Sequence, residues 1–365
     1  MKQNRLKKAA PILLTIILVW LFTACEKDFS VVKQEPGVTA PDTTSHNFTW
    51  TVDTFGIGGS GSSYLLDVAI INENDIWAVG KIYTDTDKFN ALHWNGIEWE
   101  LVKIPVKIFN TSTFVTGRLK AIVALNSHNI LVTDGGEVIT FNGLSWGNWT
   151  FLFTDLNDTT FGGINKFWAE QPDKVYGVGN KGNIFLGDGQ TWQKLDSGTD
   201  VDIKDIWGAK NEITGKYEIL AVASLQNYGR EMDLLRIEGT QVSHLDTNGL
   251  HVNQSSIWFI PEKSYYITGN GVFTKQTLND SLWQNQPGHP LLYKDAVRGN
   301  DWNDAFVVGA SGLVSHNNGS SWRHYTEGEL PSFYGAYNAV AIKDDMVVAV
   351  GDINAVYGIV LVGKR

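Results

Sequence analysis

One two-part phrase governs the chain. Asn74-Asp75-Ile76-Trp77-Ala78-Val79-Gly80 reads as a buried strand ending at a glycine, and Asn95-Gly96-Ile97-Glu98-Trp99 reads as a tight turn feeding a strand that opens with tryptophan. Short apolar strands of the first kind recur at Ile76–Gly80, Ile130–Asp134, Val175–Gly179, Ile219–Ala223, Tyr265–Gly269, Ala305–Gly309 and Val347–Gly351, their ends spaced 40 to 54 residues apart. A period of this size made only of short strands is what a four-stranded propeller blade requires.

The remaining strands fall around each copy. An apolar strand lies upstream, at Leu66–Ile71, Leu119–Leu125, Ile164–Ala169, Ile203–Ala209, Ser256–Ile260, Lys294–Gly299 and Tyr337–Ile342. Downstream come a third strand, a turn and a fourth strand. The turns are Asn95-Gly96, Asn142-Gly143, Asp188-Gly189, Glu238-Gly239 and Asn318-Gly319, with Asn279-Asp280 in the fifth copy. An Asx-Gly pair between strands is a strong hairpin signal. Trp99, Trp146, Trp192 and Trp322 follow three residues after their glycines, and Trp283 takes this part in the fifth copy. These rings, with Trp168, Trp207 and Trp258 on the upstream strands, are expected to pack the blades.

The seventh copy holds only three strands, ending with Gly358–Val362. Its missing strand is expected at the front, where Asn47–Val52 reads as a fourth strand that pairs with Gly358–Val362 and leaves no open edge. The expected fold is therefore an all-β, seven-bladed β-propeller of four-stranded antiparallel blades over residues 47–365, closed by an N-terminal strand.

Ser315-His316-Asn317-Asn318-Gly319-Ser320-Ser321-Trp322 resembles the Asp-box turn of sialidase-like propellers, with Asn317 where that family has aspartate. The repeat over about residues 64 to 365 also resembles the photosystem II assembly-factor propellers. In those families the turn is structural and lies away from the active face.

The N-terminus carries a second resemblance. Lys2, Arg5, Lys7 and Lys8 precede an apolar run, Ala9–Phe22, and then Thr23-Ala24-Cys25. This resembles a bacterial lipoprotein signal, which implies cleavage after residue 24, lipidation of Cys25 and a membrane held through that lipid. Cys25-Glu26-Lys27-Asp28 is similar to the surface-export tag of Bacteroidetes lipoproteins, and Asp42-Thr43-Thr44 to their O-glycosylation site at Thr43. Residues 25–46 then read as a lipidated tether, and the expected location is the outer membrane of the cell envelope. Cys25 is the only cysteine, so no intrachain disulfide forms. The formal charge is −10, and loss of the four positive charges of the signal takes it to −14, which argues against nucleic acid as a partner.

Function is expected on the face where the upstream strands begin, since variable loops carry binding sites on a fixed scaffold. The long loops are Pro105–Gly117, Thr154–Gly163, Ser224–Asp233, Gln286–Tyr293 and Thr326–Tyr337. Arg118, Tyr228, Arg230, Tyr293, Arg298, Tyr334 and Tyr337 lie on or near them and suit a glycan or a protein segment, by apolar area plus directed donors. The expectation is a monomeric, non-catalytic binding or assembly platform with no cofactor and no metal. The alternative is a glycan-active enzyme. Arg118, Arg230 and Arg298 match a sialidase triad in number only, and Asp155, Asp158 and Glu231 lack glycosidase spacing. Asp85-Thr86-Asp87 and the group Asp196, Asp200, Asp202 and Asp205 have oxygen ligands suited to calcium, but read more simply as solvated acidic loops.

Overall fold

The computed structural model describes residues 42–57, 61–158, 160–225, 231–325 and 328–365. The signal, Cys25 and most of the tether lie outside them, as do Tyr228 and Arg230. The described residues form seven four-stranded antiparallel sheets plus one two-stranded hairpin, and contain no helix. Blades 1 to 6 are sequential, at 64–102, 121–151, 164–195, 203–245, 254–285 and 294–325. Blade 7 combines 335–364 with the strand Thr49–Phe55. In every blade the upstream strand of the repeat is the innermost, and it packs against the inner strands of the two neighbouring blades. We call the face where the inner strands begin the top.

The repeated glycine has a steric cause. A Cβ on Gly80, Gly179, Gly269, Gly309 or Gly351 would come within 1.7–2.1 Å of a carbonyl oxygen just before or at the start of the facing inner strand. Only a residue without a side chain permits that approach. Beside it, six of the inner strands carry a one-residue register shift, for example between Leu65 and Asp67 and between Ile203 and Asp205. The bulge re-aims the next side chain at the neighbouring blade.

The Asx-Gly turns are built alike. Asn95, Asn142, Asp188 and Asn318 each accept, through Oδ1, the backbone N–H groups two and three residues on. Only the glycine takes a positive φ, between 86° and 93°. The side chain therefore caps the turn in place of a second left-handed residue. The tryptophans that follow pack into the seams: Trp99 joins the core between blades 7 and 1, Trp146 that between 1 and 2, and Trp192 that between 2 and 3. The core is thus a set of seams between blades, each filled from both sides.

Closure occurs as expected, with the strand beginning two residues later and ending three later. Thr49–Phe55 pairs with the last strand from Thr49↔Lys364 to Phe55↔Gly358. Trp50 lies edge-on to Tyr325, with centroids 4.8 Å apart, and stacks on Phe48. Gly363 leaves room for it, since a Cβ there would meet the indole at 2.3 Å.

Residues 42–48, of which 42–46 were read as tether, are fixed to blade 6. Asn303 donates to the Asp42 carbonyl at 3.1 Å and Asn318 to that of Thr44 at 3.2 Å, while the Thr44 hydroxyl donates to the Asn303 carbonyl. The Tyr325 hydroxyl donates to the His46 carbonyl at 2.8 Å. His46 Nδ1 and His316 Nδ1 share a hydrogen bond at 2.8 Å, and His316 Nε2 sits 2.9 Å from Asp304, which Arg365 also holds. Thr43 remains exposed.

Two predictions follow from this end of the chain. Trp50→Ala removes a half-buried indole that three rings contact, and should cost about 2–3 kcal/mol in urea unfolding. The strap should also be acid-sensitive. Burial, with His316 and Arg323 adding to it, pushes His46 down from 6.5 to about 4, and burial likewise lowers His316 against the pull of Asp304. Both rings are neutral when docked, so one Nδ1 donates and the other accepts. Their stabilisation is complete above pH 6.5 and is lost as pH falls through about 4. Hydrogen exchange should find residues 42–48 protected at pH 7.5 and open near pH 4, whereas in His46→Ala they should be poorly protected at both.

Candidate functional site

Two regions concentrate polar or aromatic chemistry: the central channel and the top rim over blades 2 and 3. In the channel, the residue after the bulge reaches the next blade. Asp67 Oδ2 accepts the Ile122 N–H at 3.0 Å, Asp205 Oδ2 accepts that of Ile257 at 3.0 Å, and Ser256 Oγ accepts that of Val297 at 3.1 Å. Two cations then bridge across an intervening blade. Lys166 on blade 3 pairs with Asp67 on blade 1, and Arg298 on blade 6 grips Asp205 on blade 4 with two bonds of 2.8 Å. Arg298 also lies over the Trp207 ring, 5.0 Å from its centroid. Burial opposes ionisation of Asp205, but the charge and hydrogen bonds of Arg298 outweigh it and hold the carboxyl below its ordinary range.

This corrects the expectation for Arg298. It lies on the inner strand where the repeat placed it, but it is 8% exposed and its guanidinium is committed to Asp205, so it is not presented to a ligand. Tyr337 is corrected too: it is 0% exposed and packs against Phe333 in the seam between blades 6 and 7. Tyr293 is half-buried at the start of blade 6. Arg118 and Tyr334 are exposed, the latter at 84%, but they stand on the links between blades 1 and 2 and between blades 6 and 7. The residues expected to form one site are therefore distributed round the ring. Of the inner-strand tryptophans, Trp168 and Trp258 are core and Trp207 is half-buried against the channel.

The top rim gathers what the single residues did not. The link between blades 1 and 2 folds into a hairpin, Val106–Lys107 with Phe114–Val115. Its base is fixed by buried Asn90, which donates to the carbonyls of Ile104 and Gly117, both at 2.8 Å, and accepts from the Ile104 N–H. Glu137 accepts the Lys107 N–H at 2.7 Å, and the Trp149 indole donates to the Pro105 carbonyl at 2.7 Å. On this support a row of rings runs outward. Phe114 meets Trp149 at 4.7 Å, Phe109 meets Phe151 and Phe153 at 5.0 and 4.8 Å, and Phe161 extends the row from Phe153 towards Phe185 on blade 3. Ile108, Phe114 and Val115 are 42–45% exposed, so the row ends in an apolar surface open to solvent. Exposed apolar patches backed by fixed rings mark sites where a partner excludes water. The loop rings Phe109, Phe114 and Phe161 meet Trp149, Phe151 and Phe153, to which the sequence reading assigns no role. Their i, i+2, i+4 spacing places them on one face, which is the signal that joins them to the loops.

Carboxylates with raised pKa do not converge. Burial lifts Glu137 to about 7, with Asp134 adding, and lifts Asp295 to about 7, with Asp352 adding. Burial also raises Glu218. These sit on blades 2, 6 and 4, whereas a glycosidase needs two carboxylates facing across one cleft. Asp155 and Asp158 accept N–H groups of their own loop. Asp87 is paired with Lys103 and Asp202 with Lys204, and among the described residues no three acidic, histidine or cysteine side chains cluster as metal ligands.

Removing Arg298 alone should expose the logic of the channel. Arg298→Met leaves Asp205 buried without a cation and should cost about 3–5 kcal/mol in urea unfolding, and adding Asp205→Asn should recover part of it.

No protein-family model matches this chain, and no curated protein matches it. Among solved structures, YCF48 bound to D1 peptide has a TM-score of 0.61 at 16% identity, covering 88% of this chain and 99% of that one. YCF48 from Cyanidioschyzon merolae has a TM-score of 0.57 at 14% identity, covering 85% and 98%. The WD40 propeller domain of Doa1 has a TM-score of 0.61 at 10% identity, covering 87% and 98%. Likeness at these identities shows the fold alone.

Proposed function

We propose that this propeller is a non-catalytic docking platform of the cell envelope, anchored in the outer membrane of a Bacteroidetes-like bacterium through a lipid on Cys25. Its top rim engages an apolar segment of an envelope protein. The observation that carries this reading is the exposed apolar end of the aromatic row, Ile108, Phe114 and Val115, held on a hairpin whose base is fixed by Asn90 and Glu137. A pre-organised aromatic surface binds without the cost of ordering a loop. The channel charges support the same reading, because each acid is already matched to a cation or to a neighbouring N–H. YCF48 bound to D1 peptide lends support as a propeller of similar fold that holds a peptide. The envelope location rests on the resemblance of residues 1–25 to a lipoprotein signal.

Phe114→Asp tests the reading. It places a charge in the patch without touching the core, so the melting temperature should stay within about 2 °C, while crosslinked partner recovered from intact cells should fall at least about tenfold. Unchanged recovery would remove the rim from the function. Turnover of glycosides by the unaltered chain, abolished by a carboxylate substitution, would favour the glycan-active alternative.

A further inference from the structure

The seam between blades 5 and 6 differs from the others. Blade 5 ends in a fourth strand of two residues, Gln284–Asn285, where the fourth strands of the other blades have four to seven. The connection ahead of it turns Trp283 inward until it is 1% exposed among the residues of blades 4 and 5. Where the strand is curtailed, a cleft of about 600 Å³ lies on the flank of the seam, towards the bottom. This volume lies within the range of small-molecule sites.

Three features of the lining point to one class of ligand. Blade 6 contributes two half-buried indoles, Trp302 and Trp322, and Tyr266 of blade 5 stands edge-on to Trp322 at 6.1 Å. Trp302 is held close to the blade 6 turn, since a Cβ on Gly319 would meet it at 2.8 Å. Gln276 and Gln284, both exposed, line the cleft and make no side-chain hydrogen bond among the described residues. Lys275 is only 6% exposed, and its ammonium lies 5.5 Å over the Trp283 ring, with no ion pair or hydrogen bond among the described residues. The carboxylate within its electrostatic reach, Asp280, also lines the cleft, but its oxygens are taken up by the N–H groups of Gln276 and Thr277 and by the Thr277 hydroxyl. Lys263 adds a second cation on the rim.

We propose that this cleft binds an oligosaccharide bearing carboxylates, of the uronic-acid kind. Sugar rings lie on Trp302 and Trp322, hydroxyls meet Gln276 and Gln284, and a carboxylate completes Lys275. The site is separate from the apolar rim over blades 2 and 3, and of opposite chemistry.

Calorimetry on the full chain in detergent, with hexagalacturonate, cellohexaose and hexaglutamate as probes, tests this. Hexagalacturonate should bind with a sub-millimolar Kd, quench tryptophan fluorescence, and weaken as salt rises. Cellohexaose should bind about tenfold less tightly and hexaglutamate not measurably, since a peptide presents no ring face to the indoles. Lys275→Gln should lose about tenfold for hexagalacturonate while leaving cellohexaose unchanged. Trp302→Ala should weaken both sugars, and it decides the matter if Lys275→Gln fails to fold. No binding of hexagalacturonate up to about 5 mM, equal binding of hexaglutamate, or binding indifferent to Trp302→Ala would overturn the proposal.

Discussion

Everything in this molecule depends on joining residues some three hundred positions apart. Seven sheets stand round one axis, and each is stabilised only by having a neighbour on both sides. The ring is complete once Thr49–Phe55 lies against Tyr357–Lys364. No blade can be added or lost without leaving an edge that invites pairing with another chain. The cost is kinetic. The contacts that matter most are the least local, and topologies dominated by distant pairings form slowly because loop closure precedes its reward.

The same geometry governs where chemistry can and cannot reside. A bulge near the start of the inner strand turns a polar side chain towards the adjacent blade, and Asp67, Asp205 and Ser256 use that aim to fix their neighbours. The axis of the propeller is therefore occupied by its own fastening. Recognition is displaced outward, to the links between blades and to the seams, where the repeat is free to vary. The aromatic rim and the flank cleft are both departures from the repeat: one adds a hairpin between blades, the other shortens a strand.

This division explains what could be read from the chain alone. The glycine that ends each second strand, the Asx side chain that caps each turn and the tryptophan that follows act locally, so their spacing reveals the blades directly. The closing strand was legible because one blade lacked a piece, although its register was set by Trp50 over Gly363 rather than by the apolar run. Arg298 was placed on the right strand but given a binding role it does not have, for a different reason. Its partner, Asp205, is 93 residues away, and nothing in either neighbourhood indicates that the fold brings them together. Tyr337 was read both as the end of a loop and as the start of an inner strand, and burial at that boundary decides for the strand. Lys275 gives no signal at all in sequence, since its significance is its place beside the indoles of a neighbouring blade in three dimensions.

The entry point of the chain has a mechanical consequence. Asp42 sits beside Asn303 and Asn318, on the turns of the face opposite the inner-strand starts, and the closing strand runs from there towards the top. Tension applied upstream would first meet the polar clasps of residues 42–48 and then act along the strand itself, loading its seven cross-strand pairs in shear rather than peeling them one by one. A body tugged by its leader is thus resisted in the direction in which a sheet yields least.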